Sequence, residues 1–285
     1  MSSTRRRTVT TADDVHLHVV EAGDPAAQPL VLIHGFACSS QYWHRQLADP
    51  VLTERFRVIA PDLRGHGSSQ TALADAQIST SSMDDGARLW AQDVDAVCEG
   101  LEAPILVGWS FGGAVVQSHA YVHGGIGDAA AVVLLNVPCI LGPPVDGSPV
   151  AELVTPEAIG ALVATTRGEL EGFADVVLAR GPKDDSIDDE DRRMAEEIAR
   201  QCPPSVCSGM LAYAYDFREF VASLPEEERE RMTAVVAEED RIFRAAATHA
   251  VWQGAGVRTV GVAGEGHALF LRDPDRFREV LLACL

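Results

Sequence analysis

Lysine is almost missing from this chain. Of 285 residues one is lysine, Lys183, beside 22 arginines, and the 42 acidic residues leave a net charge of −19. Such a surface disfavours broad contact with DNA, RNA or anionic lipid, all of which reward basic side chains. The arginine-for-lysine imbalance reads as the coding bias of a GC-rich genome. Long apolar runs are also missing: no stretch approaches the roughly 20 residues of a membrane span. Arg5-Arg6-Arg7 is followed by no apolar segment, so a secretory signal is not expected and the arginines read as a solvated tail. Six cysteines (38, 98, 139, 202, 207 and 284) form no C-x-x-C pair, and the Cys202/Cys207 spacing does not suit a zinc knuckle. Free thiols in a reducing cytoplasm are the expectation. There is no zinc-ligand cluster, and no G-x-G-x-x-G opens a helix after the first strand, so neither a metal nor an organic cofactor is implied. No internal repeat is visible. At 47% hydrophobic and 23% charged residues, the chain is too apolar for disorder and can bury a large core without staples.

What is present is an alternation of short apolar runs and longer helical patterns. Residues 29–33, 57–60, 104–107, 131–135, 233–236 and 258–262 are continuously apolar or nearly so, as strands covered on both faces require. Helical patterns lie at 86–100, 112–123, 242–253 and 274–284, which predicts a doubly wound, mostly parallel α/β sheet. Thr8–Thr11 and Val15–Glu21 alternate about Ala12-Asp13-Asp14 and predict an antiparallel hairpin at the sheet edge. Residues 138–228 break the rhythm. A loop with Pro138, Pro143, Pro144 and Pro149 leads into helical patterns at 156–166, 168–180, 187–201 and 205–223 without an intervening strand. This reads as a helical cap (lid) at 138–228, inserted in a core of 1–137 and 229–285. Asp184, Asp185, Asp188, Asp189, Glu190 and Asp191 read as a solvated helix start, since a calcium loop would need a Gly and a terminal Glu in other registers.

The chemical signal is Gly108-Trp109-Ser110-Phe111-Gly112-Gly113, between an apolar strand and a helix. So tight a strand-to-helix turn leaves no room for side chains beside Ser110 and exposes its hydroxyl at the strand's carboxyl end, the setting of a nucleophile. A hydroxyl needs a base, and the base an orienting acid. His267, in Gly264-Glu265-Gly266-His267 beyond the last strand, returns to the same sheet edge. Asp240 follows strand 233–236; Glu238 and Glu239 read as solvated, and Asn136, after strand 131–135, carries an amide that cannot balance an imidazolium. His16, His18, His44, His119, His123 and His249 read as satisfied or exposed, and His66 as part of a turn. The backbone N–H groups of Phe36, in His34-Gly35-Phe36, and of Phe111 are the expected oxyanion donors.

As a set, His34-Gly35-Phe36, Pro61-Asp62-Leu63-Arg64-Gly65-His66-Gly67-Ser68, the Ser110 elbow, Asp240 and Gly264–His267 resemble the α/β-hydrolase superfamily, from about residue 15 to the end. Within it the chain is similar to bacterial esterases and lactonases grouped with cofactor-free haloperoxidases; residues 214–218 (Ala-Tyr-Asp-Phe-Arg) match a segment often seen there. Ala237 departs from the glycine usual ahead of the acid. Phe111 stands where many haloperoxidase-like members carry Met, which points away from perhydrolase activity. The resemblance implies a cytoplasmic serine hydrolase without cofactor, cleaving a small to medium apolar ester or lactone. C–C bond hydrolase, thioesterase and perhydrolase chemistry on the same triad stay open, as does a ligand-binding receptor role on the same fold. An Asp nucleophile, needed for dehalogenase or epoxide hydrolase chemistry, is absent from the elbow. Candidate pocket groups are His34, Gly35, Phe36, Trp43, Trp109 and Phe111, with Met210, Tyr213, Tyr215 and Phe217 from the cap. Monomer and homodimer are equally open.

Overall fold

The computed structural model describes residues 4–69, 82–142, 149–170, 172–181 and 187–285. Lys183, Asp184, Asp185, Pro143 and Pro144 therefore lie outside the described residues. Ten strands are β1 (Arg5–Thr10), β2 (His16–Ala22), β3 (Gln28–Ile33), β4 (Phe56–Pro61), β5 (Ile105–Trp109), β6 (Ala131–Leu135), β7 (Ile140–Leu141), β8 (Tyr215–Asp216), β9 (Met232–Ala237) and β10 (Arg258–Val262). Eight of them form one sheet in the order β1-β2-β4-β3-β5-β6-β9-β10. β1 pairs antiparallel with β2, and β2 with β4; all other neighbours are parallel. The predicted mostly parallel sheet with an antiparallel N-terminal hairpin is thus the observed one.

β3, β5, β6 and β9 carry the apolar runs because they occupy the middle of the sheet. Every residue of β5, β6 and β9 is buried, as strands covered on both faces must be. β10 is the exception. Among the described residues it pairs only with β9, at the end of the sheet, and Arg258 and Gly261 are exposed despite the apolar pattern. The three arginines do not form a free tail either. They open β1, in register with Glu21, Val20 and Val19, and the buried Glu21 carboxylate accepts from both Arg7 and Arg57 (Arg57 Nη2 at 2.9 Å). Charge on an edge strand also discourages edge-to-edge pairing with another chain.

The helices, numbered over the described residues, are α1 (His44–Ala48), α2 (Pro50–Arg55), α3 (Met83–Cys98), α4 (Phe111–His123), α5 (Pro149–Leu153), α6 (Pro156–Thr165), α7 (Phe173–Leu178), α8 (Asp189–Gln201), α9 (Pro204–Ala212), α10 (Arg218–Ser223), α11 (Glu226–Glu230), α12 (Ala245–Gly254), α13 (Leu269–Arg272) and α14 (Pro274–Cys284). α3 starts where Ser82 accepts from the Asp85 N–H, the usual N-cap role of a serine hydroxyl. It buries Ala87, Trp90, Val94 and Val97, spaced by three and four residues, and packs against α4. α4 ends at Gly124, whose φ of 73° closes the last turn.

Between β6 and β9 the chain is mainly helical, with two departures from the predicted pattern. The helix predicted at 168–180 begins only at Phe173, because Gly172 takes φ 80°. The one predicted at 205–223 is interrupted by β8, which pairs with β7, while Phe217 N–H donates to Cys139 O at 2.9 Å. The described part of the acidic run starts α8: Asp188 caps it by accepting from Glu190 N–H, and Asp189, Glu190 and Asp191 fill its first turn. Asp191 is buried and receives Arg45 Nη2 at 3.0 Å, tying α8 to α1. Among the described residues no helix is long and apolar enough to cross a membrane.

Candidate active site

Ser110 sits between the last residue of β5 and the first of α4 at φ 53° and ψ −125°. A non-glycine residue held there stores roughly 1–3 kcal/mol of strain. The neighbouring glycines make the turn possible. A Cβ on Gly108 would lie 2.6 Å from Gly112 O, and one on Gly112 would lie 2.3 Å from Ile33 O. Gly35 brings the loop after β3 against the elbow; a Cβ there would stand 3.1 Å from Ser110 Cβ. Phe36 follows directly, so Phe36, Ser110 and Phe111 all border one cavity.

His267 reaches the same cavity from the loop after β10. Its Nδ1 is 2.8 Å from Asp240 Oδ2, and both side chains are buried. The other Asp240 oxygen accepts the N–H groups of Ile242 (2.7 Å) and Phe243 (3.2 Å). A carboxylate so held can only accept, so Nδ1 carries the imidazole proton and Nε2 keeps its lone pair, the tautomer a general base needs. The imidazole lies between the rings of Trp109 and Phe243, with centroids 5.3 and 5.8 Å away. The Ser110 hydroxyl is not hydrogen-bonded to His267 in this resting arrangement. Such bonds are often loose before substrate binds.

Asn136, dismissed above as a poor acid, has another place. At φ 50° it accepts from Ala237 N–H at 2.7 Å and donates to His267 O at 2.7 Å. It therefore links the end of β9, three residues before Asp240, to the backbone of His267. Trp109 Nε1 donates to the same His267 carbonyl at 2.9 Å. Only the polarity of a residue directly after a buried strand hinted at this in the sequence.

The cavity holds about 240 Å³ and has almost wholly apolar walls. Of the pocket candidates, Trp109 and Met210 line it, as do Phe36 and Phe111. The others do not. His34 is wholly buried beneath the site, its Nδ1–H donating to Gly35 O and its Nε2 accepting from Leu63 N–H at 3.0 Å. Burial pushes its pKa below the ordinary histidine value. Gly35 has no side chain to offer and spends its space on the approach to Ser110. Trp43 packs in the core on Phe270, with ring centroids 4.0 Å apart. The hydroxyls of Tyr213 and Tyr215 bond Ser118 Oγ (2.9 Å) and Pro138 O (3.2 Å), and Phe217 stacks on Tyr215. These three mark the base of the inserted segment, where β7 and β8 pair. The walls missed from the sequence include Ile159, Leu162 and Val163 of α6 and Phe173 and Val177 of α7. Their spacings of three and four residues were the available signal. Phe243 was also missed, although it directly follows the Asp240 turn.

Residues 30–280 match the model of the alpha/beta hydrolase family. With the sheet order and the elbow above, this settles the class: the chain belongs to the alpha/beta hydrolase family. Over 128 residues it is 34% identical to epoxide hydrolase A of Mycobacterium tuberculosis, covering 44% of this chain and 37% of that one. Over 135 residues it is 35% identical to the bifunctional esterase/perhydrolase DCH of Acinetobacter calcoaceticus, covering 47% and 45%. The chain thus spans less than half the length of these curated relatives. The esterase RhEst1 from Rhodococcus sp. ECU1013 superposes with a TM-score of 0.78 at 26% identity, covering 98% of both chains.

Proposed function

We propose that the protein is a serine hydrolase that cleaves a small to medium apolar carboxylic ester or lactone. The observation that carries this reading is the His267–Asp240 pair, 2.8 Å apart, whose histidine borders the same apolar cavity as the strained Ser110. Ser110 Oγ attacks the acyl carbonyl carbon while His267 Nε2 takes the hydroxyl proton. Asp240 stabilises the imidazolium, and the N–H groups of Phe36 and Phe111 receive the oxyanion. Collapse expels the alcohol, protonated by His267. Water, deprotonated by His267, then releases the acid from the acyl-enzyme.

Residues 138–228 serve as the cap, since Met210, Phe173 and the α6 residues face Ser110 across the cavity. An apolar wall favours an uncharged acyl group. The hydroxyl at the elbow speaks against carrying epoxide chemistry over from the mycobacterial relative, because that reaction needs a carboxylate nucleophile. Six unpaired cysteines accord with work in the cytoplasm.

The test is hydrolysis of p-nitrophenyl esters from acetyl to octanoyl, with wild type beside Ser110→Ala. Turnover with an optimum within the series is expected, falling at least ~1000-fold in the variant. Undiminished turnover in Ser110→Ala would overturn the reading. Hydrolysis of lactones but not of linear esters would select the lactone.

A further inference from the structure

Outside the cavity, two histidines and an aspartate converge. His119 and His123 are four residues apart on α4, a spacing that puts both imidazoles on one helix face. Asp95 faces them from α3. Both Nε2 atoms reach the same carboxylate oxygen, at 3.1 Å from His119 and 2.9 Å from His123. The imidazole centroids are 4.6 Å apart, and the three possible ligand atoms lie within 4.8 Å of one another.

We propose that Asp95, His119 and His123 form a binding site for a late first-row divalent cation of the Zn2+ type, clamping α3 to α4. Ligands held about 2.05 Å from such an ion stand roughly 2.9 Å apart at right angles and roughly 3.3 Å apart in a tetrahedron. The two observed nitrogen–oxygen spacings fall in that interval. The donor set of two imidazoles and one carboxylate suits Zn2+, Ni2+ or Cu2+ better than Mg2+ or Ca2+, which prefer all-oxygen shells. About half of the His123 and Asp95 side-chain surface is open to solvent, which leaves coordination positions for water. The site also lies at the carboxyl end of α4, where aligned peptide dipoles favour a positive charge.

This clamp is structural. His119 and His123 lie nine and thirteen residues beyond Ser110 on α4, or about 14 and 20 Å along its axis. The ion would take no part in the hydrolysis. It would join the helix that carries the nucleophile elbow to its neighbour.

The full-length protein is titrated with ZnCl2 by calorimetry and followed by thermal unfolding, beside His123→Gln and Asp95→Asn. Neither substitution empties a buried site, so both variants should fold. Wild type should bind one Zn2+ and gain about 5 °C in Tm at 100-fold excess over Kd. Each variant should bind more than about tenfold more weakly, with ester turnover at the wild-type rate. Equal Zn2+ binding by wild type and both variants would place the ion elsewhere and overturn the proposal. So would a Mg2+ response equal to the Zn2+ response, or no saturable Zn2+ binding up to millimolar metal.

Discussion

Lowering the pH from 7 to 5 is expected to weaken the fold by about 2 kcal/mol through His66 alone. His66 lies in the turn after β4 and has no exposed surface. Its Nδ1–H donates to Arg64 O at 2.9 Å, its Nε2 is buried without a partner among the described residues, and its ring lies 5.0 Å from that of His34. Burial first, and the neighbouring His34 second, push its pKa from the ordinary 6.5 to about 3. A lowered pKa means that the unfolded chain takes up the proton before the folded one does. The stability is therefore complete above pH 6.5 and is lost as the pH falls toward 3. Each unit within that window costs about 1.4 kcal/mol, or roughly 5 kcal/mol over the whole span. Urea unfolding at pH 7, 6 and 5 measures this, with His66→Asn as the control. The variant shifts the midpoint at every pH, so the informative quantity is the difference between the two pH slopes. That difference should amount to about 2 kcal/mol between pH 7 and 5. Parallel pH profiles would refute the argument that this imidazole stays neutral in the fold.

Two further perturbations test the elbow and its support. Gly112→Ala drives a methyl group into the carbonyls of Ile33 and His34, 2.3 and 2.5 Å from the new Cβ. It should cost about 1–3 kcal/mol of unfolding free energy measured in urea and on the order of 100-fold in kcat, because the loop bearing Phe36 must move away from Ser110. A variant matching wild type in both would show that the contact is not tight. Asn136→Leu strips the His267 carbonyl and the Ala237 N–H of a buried partner. Steady-state kinetics should show kcat down more than about tenfold at nearly constant KM, since the base is displaced while the cavity walls stay.

The sheet was legible because its central strands are buried on both faces, and nothing but continuous apolar residues satisfies that demand. The elbow was legible because steric exclusion at Gly108 and Gly112 leaves a spaced trace in the chain. The cavity walls were harder to read. Tyr213, Tyr215 and Phe217 have the composition of pocket residues, yet β7–β8 pairing turns them into the base of the insertion. Trp43 lies close to Phe36 in sequence, but its ring packs on Phe270 and meets Trp109 edge-on. Whether an aromatic side chain lines a void or fills the core depends on long-range packing, and local pattern carries no record of it. Asn136 illustrates the same limit in a polar residue: its role comes from two loops about 100 and 130 residues further along the chain.

Every group assigned a part in bond making stands on the carboxyl edge of the sheet, while most of the cavity wall belongs to the excursion between β6 and β9. The two contributions face each other across the void and touch beside it, where Val154 bridges Phe243 and Thr155 N–H donates to Ile242 O. A change of side chain on α6, α7 or α9 can reshape what fits without moving the atoms that react. Selection can therefore revise the diet of this protein one helix face at a time, with its chemistry inherited intact.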